Sequence, residues 1–376
     1  VCGITPYDAT HLGHAFTYLT FDLVIRRLED LGHEVRMVRN VTDVDDSILP
    51  KARELGIDFL ELADREMKMF HADLDALDLR PAWSEPTATG SIDAMLALIG
   101  RLEAAGHTYT VDGVTFFDVS TWNEFGSISH LDEATMVSYS AERGGHPEDP
   151  RQRNPLDFVL WQPSADDEPS WDSPFGPGRP GWHIECSAMA MTDLGETIDL
   201  HGGGDDLMFP HHECEAAQSE AATGQPFARH WMHVGMVAYE GTKMSKSLGN
   251  LVFVRNLRRI HDPRAIRLAL MAHHYRGGFE WFDYDIDDAI TRLGRLVTAA
   301  RRSKGPNPAP TLAAVRAALD DDLDTVAARD ALDLLASGIL SGAGDDPTAA
   351  AGLANAAALL GIRLDATLPE SWSRTT

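Results

Sequence analysis

The sequence predicts an α/β protein with a smaller all-helical appendage, and three observations predict it. Apolar strand-like segments alternate with helical ones through the first 284 residues, the pattern of an α/β layer architecture. Two patterns suited to phosphate, one at a helix start and one on a loop, sit within that alternation. After Asp285 the chain turns Ala/Leu-rich with helical spacing and no further strand signal.

Composition agrees with this division. A chain of 376 residues exceeds what one hydrophobic core usually serves, so a catalytic part of residues 1–284 and an appendage of residues 285–376 are expected. Apolar residues make up 44%, yet no uninterrupted apolar run approaches the length of a membrane span. The first residues show no charged n-region or apolar h-region, and a cytoplasmic location is expected, with a native N-terminal segment ahead of Val1 left open. Three cysteines are too few for a disulfide framework, which suits a reducing compartment and leaves metal binding open. A formal net charge of −26 argues against a broad nucleic-acid surface, because phosphate contacts need clustered Lys and Arg.

Element by element, residues 1–4 read as a buried strand running into a turn. Residues 15–31 read as a helix whose Phe16, Leu19, Leu23 and Leu28 form the apolar face, and residues 35–41 as a strand. Residues 59–77 and 91–105 read as helices. The Pro/Gly-rich stretch 171–180 and the Gly-rich stretch 202–210 read as loops at a working face. Residues 286–302, 311–319, 325–340 and 348–360 read as the helices of the appendage, parted by breaks such as Gly305-Pro306-Asn307-Pro308.

His11-Leu12-Gly13-His14 falls at the start of the first helix. Free backbone N–H groups and the positive dipole end favour phosphate there, Gly13 permits close approach, and imidazoles can donate to phosphoryl oxygens. Taken alone, the four residues fit solvated helix-start histidines equally well. Lys243-Met244-Ser245-Lys246-Ser247 carries more information: two lysines among small hydroxyl residues suit a loop over a triphosphate, stabilising charge on the α-phosphate and the departing pyrophosphate. Gly203 and Gly204, ahead of Asp205, suit close backbone approach to a nucleotide or a plain tight turn.

A metal can also be considered from residue types. Cys2 lies at a strand end, Cys186 follows a Gly/Pro loop, and His211 and Glu215 lie four apart, on one face if Pro210 opens a helix. Thiolates with an imidazole favour zinc, while buried packing cysteines and capping histidines are the plainer alternative.

The two phosphate patterns in this order resemble class I aminoacyl-tRNA synthetases. The blocks Cys2-Gly3-Ile4-Thr5-Pro6-Tyr7-Asp8, Asn40-Val41-Thr42-Asp43-Val44-Asp45-Asp46, Arg153-Asn154-Pro155-Leu156-Asp157, Gly181-Trp182-His183-Ile184-Glu185-Cys186 and the 201–213 run narrow the resemblance to the cysteinyl-tRNA synthetase superfamily, over residues 1–282. The resemblance implies a Rossmann-like class I synthetase catalytic domain with a parallel sheet, inserted connective segments at about 80–180, and a C-terminal α-helical bundle. It implies that His11, His14, Lys243 and Lys246 stabilise charge during adenylate formation. It places Cys2, Gly3, Ile4, Thr5, Thr17, Asn40, Val41, Thr42, Trp182, Gly203, Gly204, Asp205, Asp206 and Val237 around the amino acid and its adenylate. It assigns Cys2, Cys186, His211 and Glu215 as ligands of one Zn²⁺, with Cys214 left to packing, and ATP enters as substrate with Mg²⁺. A zinc that takes the substrate sulfur would separate cysteine from the nearly isosteric serine, which an apolar pocket does poorly.

The superfamily divides at its second step, between transfer of cysteine to tRNA and transfer to the amine of glucosaminyl-inositol by the mycothiol-pathway ligases. The turn Ile4-Thr5-Pro6-Tyr7-Asp8-Ala9-Thr10, the block Glu142-Arg143-Gly144-Gly145-His146-Pro147, residues 250–254, and Tyr275-Arg276 followed by Glu280-Trp281 are similar to the ligases, with His146 departing from the Asp common in that block. Where a synthetase usually continues into an anticodon-binding module, the sequence ends at Thr376 after a bundle of about 90 residues; a truncated chain would look the same, so the motif differences carry the expectation. The expectation is therefore a monomer acting on ATP, L-cysteine and glucosaminyl-inositol, with no tRNA partner. A cysteinyl-tRNA synthetase, or a catalytically silent paralogue that only binds, are the alternatives.

Overall fold

A computed structural model describes residues 1–7, 9–244 and 249–364. The chain forms two compact units: residues 1–8, 36–67 and 82–233 make the first, and residues 9–35, 68–81 and 234–376 the second. The division falls within the helix Phe59–Ala76.

The first unit is organised on short extended segments that run parallel. Val41 bridges Ile4 on one side and Thr87 on the other, and Val38 bridges Ser84, all in parallel. Backbone bonds from Ile4 N to the Asn40 oxygen and from Thr42 N to the Ile4 oxygen complete the ladder. The expected strand over 35–41 is therefore an extended segment held by isolated bridges. Gly3 explains the close pairing: a Cβ there would stand 1.7 Å from the Asn40 carbonyl oxygen. Cys2 N donates to Gly202 O at 2.9 Å, which ties the chain start to the strand Ile198–Gly204. That strand pairs with Ala228–Val234, and the helix Glu213–Thr223 lies between them in sequence. The expected loop over 202–210 is in part the end of this strand. Gly202 to Gly204 lie within the strand, and the irregular turn begins only at Asp205.

A four-stranded antiparallel sheet, Thr108–Val111, Val114–Phe117, Phe158–Gln162 and Arg179–Pro180 in order, belongs to the same unit. Its first turn is Asp112-Gly113, both at positive φ, the two-residue hairpin geometry that Asp-Gly favours. The core gathers Leu98, Ile99, Leu102, Phe117, Leu160, Trp161, Ile184, Met189 and Phe209, with Cys214 packed among them.

In the second unit the helix Leu12–Asp30 buries Phe16, Leu19 and Leu23. Thr242–Lys243, Val237–Tyr239 and Phe279–Trp281 form a small sheet in which the latter two strands are parallel. Asp283–Ala299, Ala309–Asp320, Thr325–Leu340 and Ala349–Leu359 follow as four helices, close to the bounds their periodicity predicts. They bury Leu293, Leu296, Val315, Leu319, Leu332, Ile339 and Leu353. A buried charge cluster is also present: Arg267 reaches Asp22, Leu77 O at 3.0 Å and Leu360 O at 2.6 Å, and Arg26 Nε meets Asp22 at 2.7 Å. Burial works against the Asp22 carboxylate, but the two guanidiniums outweigh it and hold its pKa below the usual value. No helix among the described residues is long and apolar enough to cross a membrane.

Candidate functional site

The first unit assembles a buried donor cluster from three separate stretches of chain. Cys2 comes from the extended chain start, Cys186 from the helix Trp182–Leu194, His211 from the π turn Met208–His212, and Glu215 from the helix Glu213–Thr223. Their donor atoms all lie within 4.8 Å of one another, and all four residues are buried. His211 and Glu215 do fall on one face, as the spacing of four requires.

Two further histidines, not singled out in the sequence, join this cluster. The Cys2 sulfur lies 3.5 Å from Nε2 of both His201 and His212 and 3.6 Å from Glu215 Oε2. Cys2, His201, His212 and Glu215 satisfy the same 4.8 Å criterion, so two donor sets share Cys2 and Glu215. The available signal was the clustering of His201, His211 and His212 around a Gly-rich stretch, which spacing alone does not turn into proximity.

Hydrogen bonds distinguish the two sets. His183 Nδ1 and His211 Nδ1 are 2.8 Å apart, so the His211 ring is oriented from behind and its Nε2, buried, has no hydrogen-bond partner among the described residues. Glu215 Oε2 is 3.0 Å from His201 Nε2, and the other oxygen, Oε1, is likewise buried without a partner. An oriented imidazole and a half-satisfied carboxylate facing two thiols are what a bound divalent ion would complete. The donor types, two sulfurs with one nitrogen and one oxygen, suit zinc.

Electrostatics match this arrangement in the metal-free chain. A hydrogen bond from Cys186, with nearby histidines, holds the Cys2 thiol well below its usual range against the effect of burial; Cys186 is pushed well above it by that bond and by burial. Burial opposes charge on His201, but Glu215 and Cys2 prevail and lift its pKa to about 9. Burial lowers His212 to about 3 and raises Glu215. The cluster thus stores protons that a metal would displace.

Around the cluster lie most of the other expected contacts. Asn40 Oδ1 accepts from Gly3 N at 2.7 Å, and Asn40 Nδ2 donates to Thr42 Oγ1 at 3.2 Å. Ile4 and Val41 are bridged, and Thr5 Oγ1 donates to Asp45 at 3.3 Å. Trp182 begins its helix with its ring centroid 4.1 Å from that of His211. Gly203 and Gly204 end the strand next to Cys2, while Asp205 is exposed and Asp206 half-buried in the turn that follows.

The second unit holds the phosphate-type patterns. His11 is the helix N-cap, its Nδ1 accepting from Gly13 N at 3.1 Å, and its ring stacks on His14 with centroids 3.8 Å apart. Thr17 Oγ1 returns to Gly13 O at 3.2 Å. Leu12 N donates to Val252 O at 2.9 Å, and Val254 N to Thr10 O at 3.0 Å, so the histidine motif is pinned to the segment just after the lysine loop. Asn250 Nδ2 donates to Tyr239 O and Thr242 Oγ1, both at 3.0 Å, which ties the two ends of that loop together. The Lys243 backbone pairs with Ala238, beside the buried Val237. Lys246 lies outside the described residues.

Solved structures share this fold. The fold is that of Mycobacterium tuberculosis methionyl-tRNA synthetase, solved in complex with methionyl-adenylate, at a TM-score of 0.67 and 17% identity over 96% of this chain and 89% of that one. It is a Rossmann-like class I synthetase fold. The family model for the class I (C) tRNA synthetase catalytic domain matches residues 1–291. L-cysteine:1D-myo-inositol 2-amino-2-deoxy-alpha-D-glucopyranoside ligases are similar over nearly the full length. That of Thermobifida fusca is 52% identical over 97% of this chain and 89% of the relative, and that of Gordonia bronchialis is 51% identical over 96% and 89%. The chain belongs to the class I (C) tRNA synthetase catalytic-domain family and, within it, to the group of these cysteine ligases.

Proposed function

We propose that this chain is an AMP-forming carbon–nitrogen ligase that joins L-cysteine to the amine of glucosaminyl-inositol. The observation that carries the reading is identity of about one half to the named ligases over nearly the whole of both chains. In the first step a cysteine carboxylate oxygen attacks the α-phosphorus of ATP, the bond to the β-phosphate oxygen breaks, and pyrophosphate leaves. In the second the sugar amine attacks the activated carbonyl, AMP leaves with the bonding pair, and the amine gives up a proton as the amide forms. No enzyme nucleophile is needed, so charge stabilisation and positioning carry the catalysis.

The residues divide these tasks. His11 and His14 stand at a helix N-terminus, where donors and dipole suit phosphate, and Lys243 and Lys246 are assigned to the same charge. Mg²⁺ accompanies ATP. Cys2, Cys186, His211 and Glu215 would hold a zinc ion, which would supply a Lewis-acid position for the substrate sulfur. Trp182 walls that position through its contact with His211, and Gly3, Asn40 and Thr42 form a preorganised polar edge for the amino and carboxyl groups. The acidic charge balance agrees with small-molecule substrates, and we take the enzyme to be a cytoplasmic monomer that does not use tRNA.

The test is cysteine-dependent exchange of labelled pyrophosphate into ATP without acceptor. Exchange with cysteine but not serine is expected; exchange that ignores the amino acid, or none, would overturn the first step.

A further inference from the structure

The motif block at 142–145 has no part in the chemistry described so far, yet its arginine reaches the functional turn. Arg143, half-buried at the end of the helix Glu133–Glu142, donates from Nη1 to Asp206 O at 2.9 Å and to Phe209 O at 2.5 Å. Its guanidinium lies 4.4 Å from the Tyr139 ring centroid, which restrains the side chain from behind. A cation linking two carbonyls three residues apart fixes the backbone between them. The same turn is held from its other end, where the buried Glu213 carboxylate accepts from the backbone N–H groups of Gly126, Ile128 and Ser129 at 2.6–2.8 Å.

The fixed turn carries the half-buried Asp206. Its Oδ1 lies 2.6 Å from where a Cβ on Gly204 would stand, so the absence of a side chain there lets the carboxylate fold over the strand end. Carboxylates just beyond the C-terminal end of a strand stand where open α/β folds bind ligands. An acceptor that brings an ammonium group and hydroxyls is matched by such a carboxylate, which accepts from both.

We propose that Arg143 is a positioning residue for the acceptor step: by holding the Asp206 and Phe209 carbonyls it sets the Asp206 carboxylate to receive the amino-sugar. This rests on the ligase reading above. Both bonds come from Nη1, and a shorter lysine ammonium lacks the planar guanidinium that lies over Tyr139, so it replaces the function only in part.

Arg143→Ala, Arg143→Lys, Asp206→Asn and the Arg143→Ala/Asp206→Asn double variant test this, with metal content, cysteine-dependent pyrophosphate exchange and steady-state kinetics in glucosaminyl-inositol as readouts. Arg143→Ala is expected to keep metal and exchange within about twofold while its acceptor KM rises about tenfold, the effect of one lost good contact of roughly 1.4 kcal/mol. Arg143→Lys should recover part of that. The double variant should be no worse than Asp206→Asn alone, because both changes act on one contact. An unchanged acceptor KM in Arg143→Ala, or losses in the double variant that simply multiply, would overturn the proposal; so would a matching loss of exchange. If Arg143→Ala does not fold, Arg143→Lys decides: an acceptor KM equal to wild type sinks the proposal, and a selective rise supports it. Wild-type enzyme that performs exchange but makes no amide would instead overturn the ligase reading itself.

Discussion

His183 and His211 face each other through their Nδ1 atoms at 2.8 Å, which leaves His211 Nε2 buried and without a hydrogen-bond partner among the described residues, 3.6 Å from Glu215 Oε2. One ring nitrogen orients the imidazole and the other is reserved, the division of labour seen in metal-bound histidines. His212 is oriented the same way, its Nδ1 2.8 Å from His233 Nε2, so what separates the two overlapping donor sets is that Nε2 of His201 and of His212 already meets the Cys2 sulfur.

Metal analysis of variants separates the two. Cys2→Ser, common to both sets, should lose nearly all zinc. Cys186→Ser and His211→Ala should each lower zinc affinity by at least tenfold, while His201→Ala should keep its metal. Full zinc in Cys186→Ser together with loss in His201→Ala would reassign the ligands.

In the metal-free protein the stability that His201 contributes should fall as pH rises, while the depressed Cys2 thiol acts in the opposite direction. His201 has its pKa raised from 6.5 to about 9 by Glu215 and Cys2 against burial, so its contribution is complete below pH 6.5 and disappears as pH climbs through 9. That is on the order of 3 kcal/mol. The excess of unfolding free energy in chelator-treated wild type over chelator-treated His201→Gln should fall from pH 7 to 9.5 in denaturant titrations. An equal slope in both proteins would remove His201 from the account.

Gly3→Ala should disrupt the parallel pair, because its new methyl would meet the Asn40 carbonyl at 1.7 Å and backbone must give way. A loss of roughly 3 kcal/mol in stability, and weaker cysteine binding, are expected from thermal unfolding and calorimetry. Wild-type values in both would show that the segment adapts freely.

In the second unit, Asp22→Ala should cost about 3–5 kcal/mol by leaving Arg267, 1% exposed, without its counter-charge. Equilibrium unfolding checks this, and a change under 1 kcal/mol would mean that Leu77 O and Leu360 O satisfy the guanidinium alone.

His14→Ala and Lys246→Ala should depress pyrophosphate exchange by two orders of magnitude or more, a typical effect of losing one transition-state charge partner, with cysteine binding little changed. Undiminished exchange would remove the residue from the adenylation step.

Much of this was legible in the sequence because it rests on local signals. Helix periodicity set the four C-terminal helices within a few residues and put His11 to His14 at a helix start, although the helix begins at Leu12 with His11 as its cap and not at Ala15. The parallel segments at 1–4 and 38–42 were harder, because their pairing is fixed by non-local bonds such as Gly3 N to Asn40 Oδ1 and not by a long alternating run. His201 and His212 escaped notice for the same reason: only the return of the strand Ile198–Gly204 to Cys2 brings them to the sulfur. Gly202 to Gly204 read as a loop since glycine weakens strand signals, although a Cβ on Gly203 would meet Leu207 Cδ1 at 2.8 Å and one on Gly204 would meet Asp206 Oδ1 at 2.6 Å.

The most direct measurement is of product. Purified protein with ATP, Mg²⁺ and labelled cysteine is offered glucosaminyl-inositol in one reaction and tRNA in another, and AMP and labelled product are followed. The account predicts one amide per AMP in the first and no charged tRNA in the second. Charged tRNA without amide would contradict it and make the chain a synthetase.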